Sequence, residues 1–276
     1  MPEKPVDVLI IGAGPTGAAA AWSLSKTNLS IMCLEQGDRM DASNYPSTKR
    51  NWEFLGQNEY NGSPNVRKLA ADYPINDKNS PIAIANFNAV GGGTIIYSGH
   101  FPRFHPSDFR VRTLDGVADD WPVNYEQLEP FFTENDKMMG VSGLADDPAY
   151  PPIEGLLPPI PLGRMGETIA KGFNKLNWHW WPSYGAIITR PYKGREKCIN
   201  LGPCDTGCAQ GAKSSVDITY WPYALRNGVK LKTRCRVRKI NVNNLGRATG
   251  VIYYDENGAE CRQKARLVIL ACNGVG

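Results

Sequence analysis

The stretch from Val6 to Gly17 reads V-D-V-L-I-I-G-A-G-P-T-G, and it decides the fold. Its first half is a short apolar run of the kind that forms a buried parallel strand, and the small residues of Ala18 to Leu24 predict a helix behind it. Between the two, Gly12 permits a tight turn, Gly14 lets the backbone approach a phosphate group, and the third glycine lets helix and strand pack closely. The stretch therefore predicts the strand, loop and helix of a dinucleotide-binding unit.

A second apolar run, Ser30 to Leu34, completes a β-α-β unit, and Glu35 follows it directly. A carboxylate at this position can accept hydrogen bonds from the hydroxyl groups of a ribose, while the start of the helix faces the phosphates with its positive dipole end. Motif, element order and acid together predict a dinucleotide site. They leave FAD and NAD open, because both ligands contain an adenosine diphosphate half.

Two later features favour FAD. Val90 to Thr94 reads V-G-G-G-T, and a run of glycines lets a large flat ligand lie against the backbone. The chain also returns to the nucleotide fold through a closing apolar strand, Leu267 to Gly274, after an inserted set of strands. An NAD-dependent dehydrogenase is therefore the less favoured interpretation. The inserted strands are predicted at 229–242, 248–254 and 260–269, with a hairpin turn at Asn257-Gly258.

The middle of the chain carries fewer signals. Residues 38 to 81 are polar without sustained periodicity, which predicts an extended excursion around a ligand rather than a core. Asn124 with Gln127 forms a capping box and predicts a helix that ends near Gly140. Prolines crowd residues 148 to 161 and predict a domain boundary. The predicted divisions are a first part of the FAD-binding domain at 1–157, a partial substrate domain with a cysteine loop at 158–213, and a second part of the FAD-binding domain at 214–276.

Composition and charge exclude several classes of function. The 276 residues carry 31 basic and 27 acidic side chains, and a formal charge of +4 is too small to argue for a nucleic-acid partner or an anionic membrane surface. No apolar run approaches the roughly 18 residues that a membrane helix needs. Lys230 to Arg238 alternates basic and apolar residues, which predicts a strand with a solvated basic face. Met1 to Val6 has no features of a signal peptide, so a cytoplasmic location is the default expectation and a periplasmic one would need a partner subunit.

Further motifs extend the pattern along the chain. They are G-A-G-P-T-G at Gly12 to Gly17, L-E-Q-G at Leu34 to Gly37, V-G-G-G-T at Val90 to Thr94, D-W-P-V-N-Y-E-Q-L-E-P at Asp120 to Pro130, C-A-Q-G-A-K at Cys208 to Lys213, and L-A-C-N-G at Leu270 to Gly274. Taken in order, they resemble the glucose-methanol-choline (GMC) oxidoreductases over essentially the whole chain. The resemblance implies an α/β fold: a Rossmann-like FAD/NAD(P)-binding domain of the GMC type, with an inserted β-meander and the start of a substrate domain, truncated.

The resemblance also implies which residues bind FAD. The glycine loop would bind the pyrophosphate, and the acid after the second strand would bind the adenosine ribose. The second glycine run would lie along the flavin, and one backbone position late in the chain would contact the adenine. These residues are Gly12, Gly14, Pro15, Thr16 and Gly17; Glu35 and Gln36; Gly91, Gly92, Gly93, Thr94, Ser98 and Gly99; Val237; and Ala271. Some relatives attach FAD through a histidine just past the glycine run. Ile95, Ile96 and Tyr97 occupy those positions here, so we expect non-covalent FAD.

The implied activity is the oxidation of a CH-OH group in an alcohol, sugar or polyol, with hydride transfer to flavin N5. In this family a histidine of the C-terminal part takes the hydroxyl proton, and the chain is expected to end before that part. His100 and His105 are expected to have surface or structural roles, and His179 lies in an aromatic cluster, so no catalytic residue is assigned. The chain alone is expected to be inactive, and a second interpretation is a stand-alone FAD-binding or electron-transfer module.

Three cysteines crowd one loop: Cys198, Cys204 and Cys208. Thiolates that converge on one point suit an iron-sulfur cluster, or zinc if a fourth ligand arrives, whereas packing cysteines are the simpler alternative. Resemblance to cluster-bearing bacterial sugar and polyol dehydrogenases favours a [3Fe-4S] cluster that relays electrons to a cytochrome or small-subunit partner. Those relatives carry a second cysteine beside the first, where this chain has Ile199.

Overall fold

The fold is mixed α/β, and a six-stranded sheet runs through the part of the chain that the structure describes. The computed structural model describes residues 4–69, 71–73 and 75–274. The strands are β1 (Val6–Ile11), β2 (Ile31–Leu34), β3 (Lys230–Lys232), β4 (Arg236–Val242), β5 (Ala248–Tyr254) and β6 (Glu260–Leu270). The helices in chain order are α1 (Pro15–Leu24), α2 (Trp52–Gln57), α3 (Pro64–Arg67), α4 (Val111–Asp115), α5 (Tyr125–Met139), α6 (Gly163–Lys175), α7 (Val216–Thr219) and α8 (Trp221–Arg226).

The chain divides into two compact units. The first unit consists of Met1–Ser98, Leu201–Ala209 and Ser215–Gly276 and contains the whole sheet. The second unit consists of Gly99–Asn200 and Gln210–Ser214. The predicted domain limits at residues 157 and 213 stay predictions.

The order of strands in the sheet is β3-β2-β1-β6-β5-β4. β1 pairs in parallel with β2 and with β6, and β2 pairs in parallel with β3, so the predicted β-α-β unit is confirmed. β1 is buried along nearly its whole length because helices and strands cover a parallel sheet on both faces. The core of this region includes Leu9, Leu34, Val251 and Tyr253.

The closing strand has two partners along its length. The first half of β6 pairs antiparallel with β5, from Tyr254 opposite Glu260 to Gly250 opposite Lys264. Its second half pairs in parallel with β1, up to Ile11 opposite Leu270. The predicted meander of β4, β5 and β6 is therefore confirmed, and one unbroken strand carries the chain from the meander back into the nucleotide fold.

The single strand predicted over residues 229–242 is wrong in one respect, because the structure divides it into β3 and β4. The break lies at Arg234, whose φ of 54° takes the backbone out of the extended conformation. The amide of Arg234 donates to the carbonyl of Gly37 and that of Cys235 donates to the carbonyl of Glu35. These bonds tie the break to the chain that follows β2, so β3 joins the parallel sheet while β4 turns to pair with β5.

In the second unit, the predicted capping box is confirmed at the start of α5. The side chain of Asn124 accepts from the amide of Gln127 at 2.9 Å, and the side chain of Gln127 accepts from the amide of Asn124 at 3.0 Å. The helix ends at Met139, as expected. Helix α6 was not predicted, since its sequence G-R-M-G-E-T-I-A-K-G-F-N-K contains three glycines, which disfavour helix.

No helix within the described ranges is both long and apolar enough to cross a membrane.

Candidate functional site

A cavity of about 290 Å³ opens in the first unit, at the edge of the sheet where β1, β2 and β6 end. Ligands of doubly wound α/β folds bind at such an edge, outside the carboxyl ends of the strands. Segments distant in sequence form its wall. The lining residues are Ile11, Gly12, Gly14, Pro15, Thr16, Leu34, Glu35, Gln36, Tyr73, Asn86, Phe87, Asn88, Gly92, Gly93, Cys235, Arg236, Val237, Ala271, Cys272 and Asn273.

The glycine loop between β1 and α1 combines a tight turn with an open face. Gly12 has a φ of +99°, and a Cβ added there would lie 2.7 Å from the carbonyl oxygen of Ala271. A Cβ added to Gly14 would meet no other described atom within 4 Å, although this residue lines the cavity. Empty space over the backbone at the start of a helix is what an approaching phosphate requires. The loop therefore fits the pyrophosphate of a dinucleotide.

Gly17 has a different role from the other two glycines. It lies in α1 and is absent from the residues that line the cavity. A Cβ added to it would lie 1.9 Å from the carbonyl oxygen of Gly12, so a side chain would push the helix away from the loop. Gly17 allows the close packing of helix against strand that the motif predicts.

Glu35 connects the glycine loop to the end of β2. Its Oε2 accepts from the amide of Ala13 at 2.7 Å and its Oε1 accepts from the amide of Gly37 at 2.8 Å. Burial raises the pKa of this carboxyl above its usual range, although the backbone hydrogen bonds oppose the shift. Each carboxylate oxygen has a further lone pair, so Glu35 can hold the loop and still accept a hydrogen bond from a ligand in the cavity.

The second glycine run lies beside the first. The amide of Gly91 donates to the carbonyl of Ala13 at 3.0 Å, and a Cβ on Gly92 would lie 3.0 Å from the Cα of Gly14. A Cβ on Gly93 would meet no described atom within 4 Å beyond its own neighbours. Thr94 supports the run through its hydroxyl, which donates to the carbonyl of Gly91 at 2.6 Å. Both glycine runs therefore form one cavity with bare backbone on its wall.

The structure brings together most of the predicted cofactor residues. Those that line the cavity are Gly12, Gly14, Pro15, Thr16, Glu35, Gln36, Gly92, Gly93, Val237 and Ala271. Gly17, Gly91, Thr94 and Ser98 lie in the first unit outside the lining, and Gly99 lies in the second unit. The contact of each residue with FAD stays a prediction.

Several other residues of the wall are not among the predicted cofactor residues. Asn86, Asn88 and Asn273 form a chain of side-chain amides, with 3.3 Å between Asn86 and Asn88 and 3.4 Å between Asn273 and Asn86. Tyr73 lies in the polar excursion, where no pattern singled it out. Arg236 belongs to the alternating basic stretch, and its exposure agrees with the predicted solvated face even though it also borders the cavity.

The cysteine loop gives the predicted cluster no support. Cys198 belongs to the second unit, Cys204 and Cys208 belong to the first, and none of these three is in a disulfide. Among the described side chains, no group of three or more His, Cys, Asp or Glu residues is arranged to hold a metal ion. The cluster therefore stays a prediction from spacing and resemblance.

All three histidines lie in the second unit and have protein partners. A ring nitrogen of His100 lies 2.8 Å from the hydroxyl of Ser183, and one of His105 lies 2.9 Å from the carbonyl oxygen of Ala149. Nε2 of His179 lies 3.0 Å from Oδ1 of the buried Asp147. These contacts agree with the structural roles expected for them.

The parallel β1-α1-β2 unit, the glycine loop and the acid after β2 define a Rossmann-type dinucleotide-binding protein. Comparison with family models agrees: residues 10–73 match the NAD(P)-binding Rossmann-like domain, and residues 170–276 match the GMC oxidoreductase model. The chain belongs to the GMC oxidoreductase family, in the N-terminal region of its members.

Individual relatives support this membership. The chain is 41% identical over 275 residues to 2-methyl-1,2-propanediol dehydrogenase of Mycolicibacterium austroafricanum, covering 98% of this chain and 49% of that protein. It is 27% identical to the fructose dehydrogenase large subunit of Gluconobacter japonicus, covering 98% and 52%. The chain thus spans about half the length of the curated relatives it matches.

A solved structure shares the fold. The crystal structure of pyridoxine 4-oxidase from Mesorbium loti superposes with a TM-score of 0.62 at 16% identity, covering 96% of this chain and 49% of that one.

Proposed function

We propose that this chain supplies the FAD-binding region of an oxidoreductase that acts on the CH-OH group of an alcohol, sugar or polyol. The observation that carries the proposal is the cavity, where two glycine runs leave bare backbone beside a buried carboxylate. The 41% identity to a protein named as a diol dehydrogenase supports the choice of reaction class and favours small polyols as substrates.

The residues of the cavity divide the work of holding the cofactor. The first amides of α1 and the positive end of its dipole attract the pyrophosphate. Gly14 and Gly93 leave room for the pyrophosphate and for the adjoining part of the cofactor. Glu35 accepts from a ribose hydroxyl with the lone pairs that its backbone partners leave over. FAD, when bound, supplies the acceptor for the hydride of the substrate carbinol carbon.

Attachment of the cofactor is proposed to be non-covalent. Ile95 is buried and Ile96 packs against the cluster formed by Tyr45, Tyr60 and Phe87. Aliphatic side chains packed in this way offer no nucleophile to the flavin ring. Acid precipitation of the protein should therefore release the flavin into the supernatant, and flavin that stays with the pellet would contradict this part of the proposal.

Purification of the full chain tests the function. The expected preparation shows visible flavin absorbance at about one flavin per chain, or takes up FAD when it is added to the apoprotein. Gly14→Ala, which adds a methyl group to the cavity wall, has Gly172→Ala as its matched control, because Gly172 lies in α6 of the second unit and its added Cβ would meet no described atom within 4 Å beyond its own helix turn. A colourless protein that does not bind FAD but binds NAD would contradict the proposal.

The electron acceptor depends on the cysteine loop. A [3Fe-4S] cluster held by Cys198, Cys204 and Cys208 would make the protein a dehydrogenase that passes single electrons to a cytochrome or small-subunit partner. The naming of one relative as a large subunit supports this possibility. Iron and acid-labile sulfide in an anaerobic preparation test it, with Cys204→Ser as the disabling variant and Cys261→Ser as the control outside the loop. Preparations without iron would contradict the cluster and would favour a small molecule as the electron acceptor.

A further inference from the structure

We propose that Arg236 and Tyr73 form a clamp for the adenine ring of the bound dinucleotide. The guanidinium carbon of Arg236 lies 4.4 Å from the centroid of the Tyr73 ring, and both side chains line the cavity. The inference rests on the proposed function, because it assumes that the cavity takes an adenine dinucleotide.

The position of Arg236 places the clamp at the nucleoside end of the cavity. Arg236 begins β4, and the residue before it, Cys235, donates its amide to the carbonyl of Glu35 at 2.8 Å. Glu35 is the acid that suits the ribose, whereas the glycine loop suits the phosphates. The base of a nucleotide lies beyond the ribose, away from the phosphates, so Arg236 borders the space left for adenine.

A buried ion pair formed by Asp72, the residue before Tyr73, fixes the backbone beside Tyr73. Arg67 and Asp72 lie 2.6 Å apart, with side-chain exposures of 0% and 3%. Asp72 also accepts from the side chain of Asn88 at 2.7 Å, and Asn88 is itself part of the cavity wall. A salt bridge that is buried and further hydrogen-bonded fixes the backbone next to Tyr73 before any ligand arrives.

The chemistry of the pair suits a flat, uncharged heterocycle. A guanidinium is planar, carries its charge on both faces and stacks on aromatic rings, and a lysine cannot replace it in that role. Tyr73 orients one face of Arg236, which leaves the other face or edge available to a base. An arginine could instead bind a 2′-phosphate, as in NADP-binding proteins, but the carboxylate of Glu35 at the ribose disfavours a second anion there.

Calorimetric titration of the full chain with ADP tests the clamp, because ADP contains the adenosine half without the flavin. Stacking of a base on a flat side chain contributes about 1–3 kcal/mol. We therefore expect Arg236→Gln, Arg236→Lys and Tyr73→Leu each to weaken ADP binding about 5-fold to 150-fold. Tyr73→Phe keeps the ring and should bind ADP as the parent chain does. Titration with 2′,5′-ADP provides the second arm.

Each outcome of these titrations either supports or overturns the clamp. If Arg236→Gln and Tyr73→Leu bind ADP within a factor of two of the parent chain, the clamp is overturned while FAD binding by the parent leaves the proposed function intact. If Arg236→Lys behaves as the parent, or if Arg236→Gln weakens 2′,5′-ADP far more than ADP, Arg236 acts on a phosphate and the clamp is overturned. ADP binding that the variants weaken, in a chain that takes up no FAD, supports the clamp and contradicts the proposed function. A parent chain that binds neither ligand overturns both. Arg236 is exposed, so its variants should fold, and circular dichroism checks this.

Discussion

Gly14 and Gly17 lie three residues apart in one motif, and the structure assigns them separate tasks that two alanine variants should separate. Gly14 lines the cavity, a Cβ added to it would meet no described atom within 4 Å beyond its chain neighbours, and its φ of −71° suits an L-residue. A Cβ on Gly17 lies 1.9 Å from a backbone oxygen that cannot swing away. We therefore expect Gly14→Ala to impair binding and Gly17→Ala to impair folding.

The magnitudes follow from these contacts. For Gly14→Ala, the lower entropy of the unfolded chain adds about 0.4–1 kcal/mol of stability, and the loss of glycine at an N-cap removes a similar amount. The free energy of unfolding should thus change by less than about 1 kcal/mol. The methyl group displaces a phosphate from the backbone amides, and one lost charged hydrogen bond costs about 1.5–3 kcal/mol, or roughly 10-fold to 150-fold in affinity.

For Gly17→Ala, the contact forces α1 away from the loop. Overpacking of this kind costs about 1–3 kcal/mol and occasionally more, and the better helix propensity of alanine offsets at most about 1 kcal/mol of it. The distance lies far inside any normal contact, so we expect a net loss of at least about 2 kcal/mol. Urea denaturation without ligand measures the stabilities, and titration with FAD or ADP measures the affinities. Gly172→Ala should change neither, apart from a small gain in stability.

Tight binding by Gly14→Ala or full stability of Gly17→Ala would contradict these roles. If Gly14→Ala binds as tightly as the parent chain, the open space above Gly14 is not where the phosphates lie. If Gly17→Ala keeps its stability, the close approach of α1 to Gly12 does not limit the packing of this unit.

Three further predictions concern stability. Glu35→Gln should cost about 1–3 kcal/mol because an amide group then faces a backbone donor. Burial raises the pKa of Glu35 in the folded protein above the ordinary value of 4.5. The free energy of unfolding should therefore fall as the pH rises from 4.5 toward the raised pKa, and in Glu35→Gln it should change less over this pH range. Asp136→Asn removes the nearer of two carboxylates from the buried Arg103, at 2.7 Å, and leaves only Glu129 at 3.5 Å, so it should cost about 3–5 kcal/mol in urea denaturation. Arg266→Met removes an exposed ion pair and should change the stability little. Asn124→Ala removes the cap of α5 and should cost about 1 kcal/mol by the same assay, and an unchanged midpoint would contradict the capping box.

Local patterns predicted the elements that depend on local contacts. β1 and β5 begin and end where their apolar runs do, and the capping box located the start of α5. The fingerprint also located the part of the cavity that a single β-α-β unit builds, at Gly12, Gly14, Pro15, Thr16 and Glu35. These features are readable because a short segment contains both the residue and the reason for its conformation.

Features that depend on distant partners were not readable. The break between β3 and β4 exists because the backbone of Glu35 and Gly37 captures the amides of Cys235 and Arg234, and alternation of basic and apolar residues carries no sign of that capture. The sequence around Arg236 fits a solvated strand whether or not the residue borders a cavity. Tyr73 lies near Arg236 only because the chain of the polar excursion folds back toward β4.

The cavity depends on the register between β1 and β6. Ile11 pairs with Leu270, and the amide of Ala271 donates to the carbonyl of Ile11 at 2.8 Å. This register sets the carbonyl of Ala271 against the Cα of Gly12, where a side chain would not fit. A slip of one residue would turn every side chain of the second half of β6 to the opposite face and move that carbonyl off the glycine. The first glycine of the motif is therefore required by a strand that lies more than two hundred residues away in the chain, as well as by the turn in which it stands.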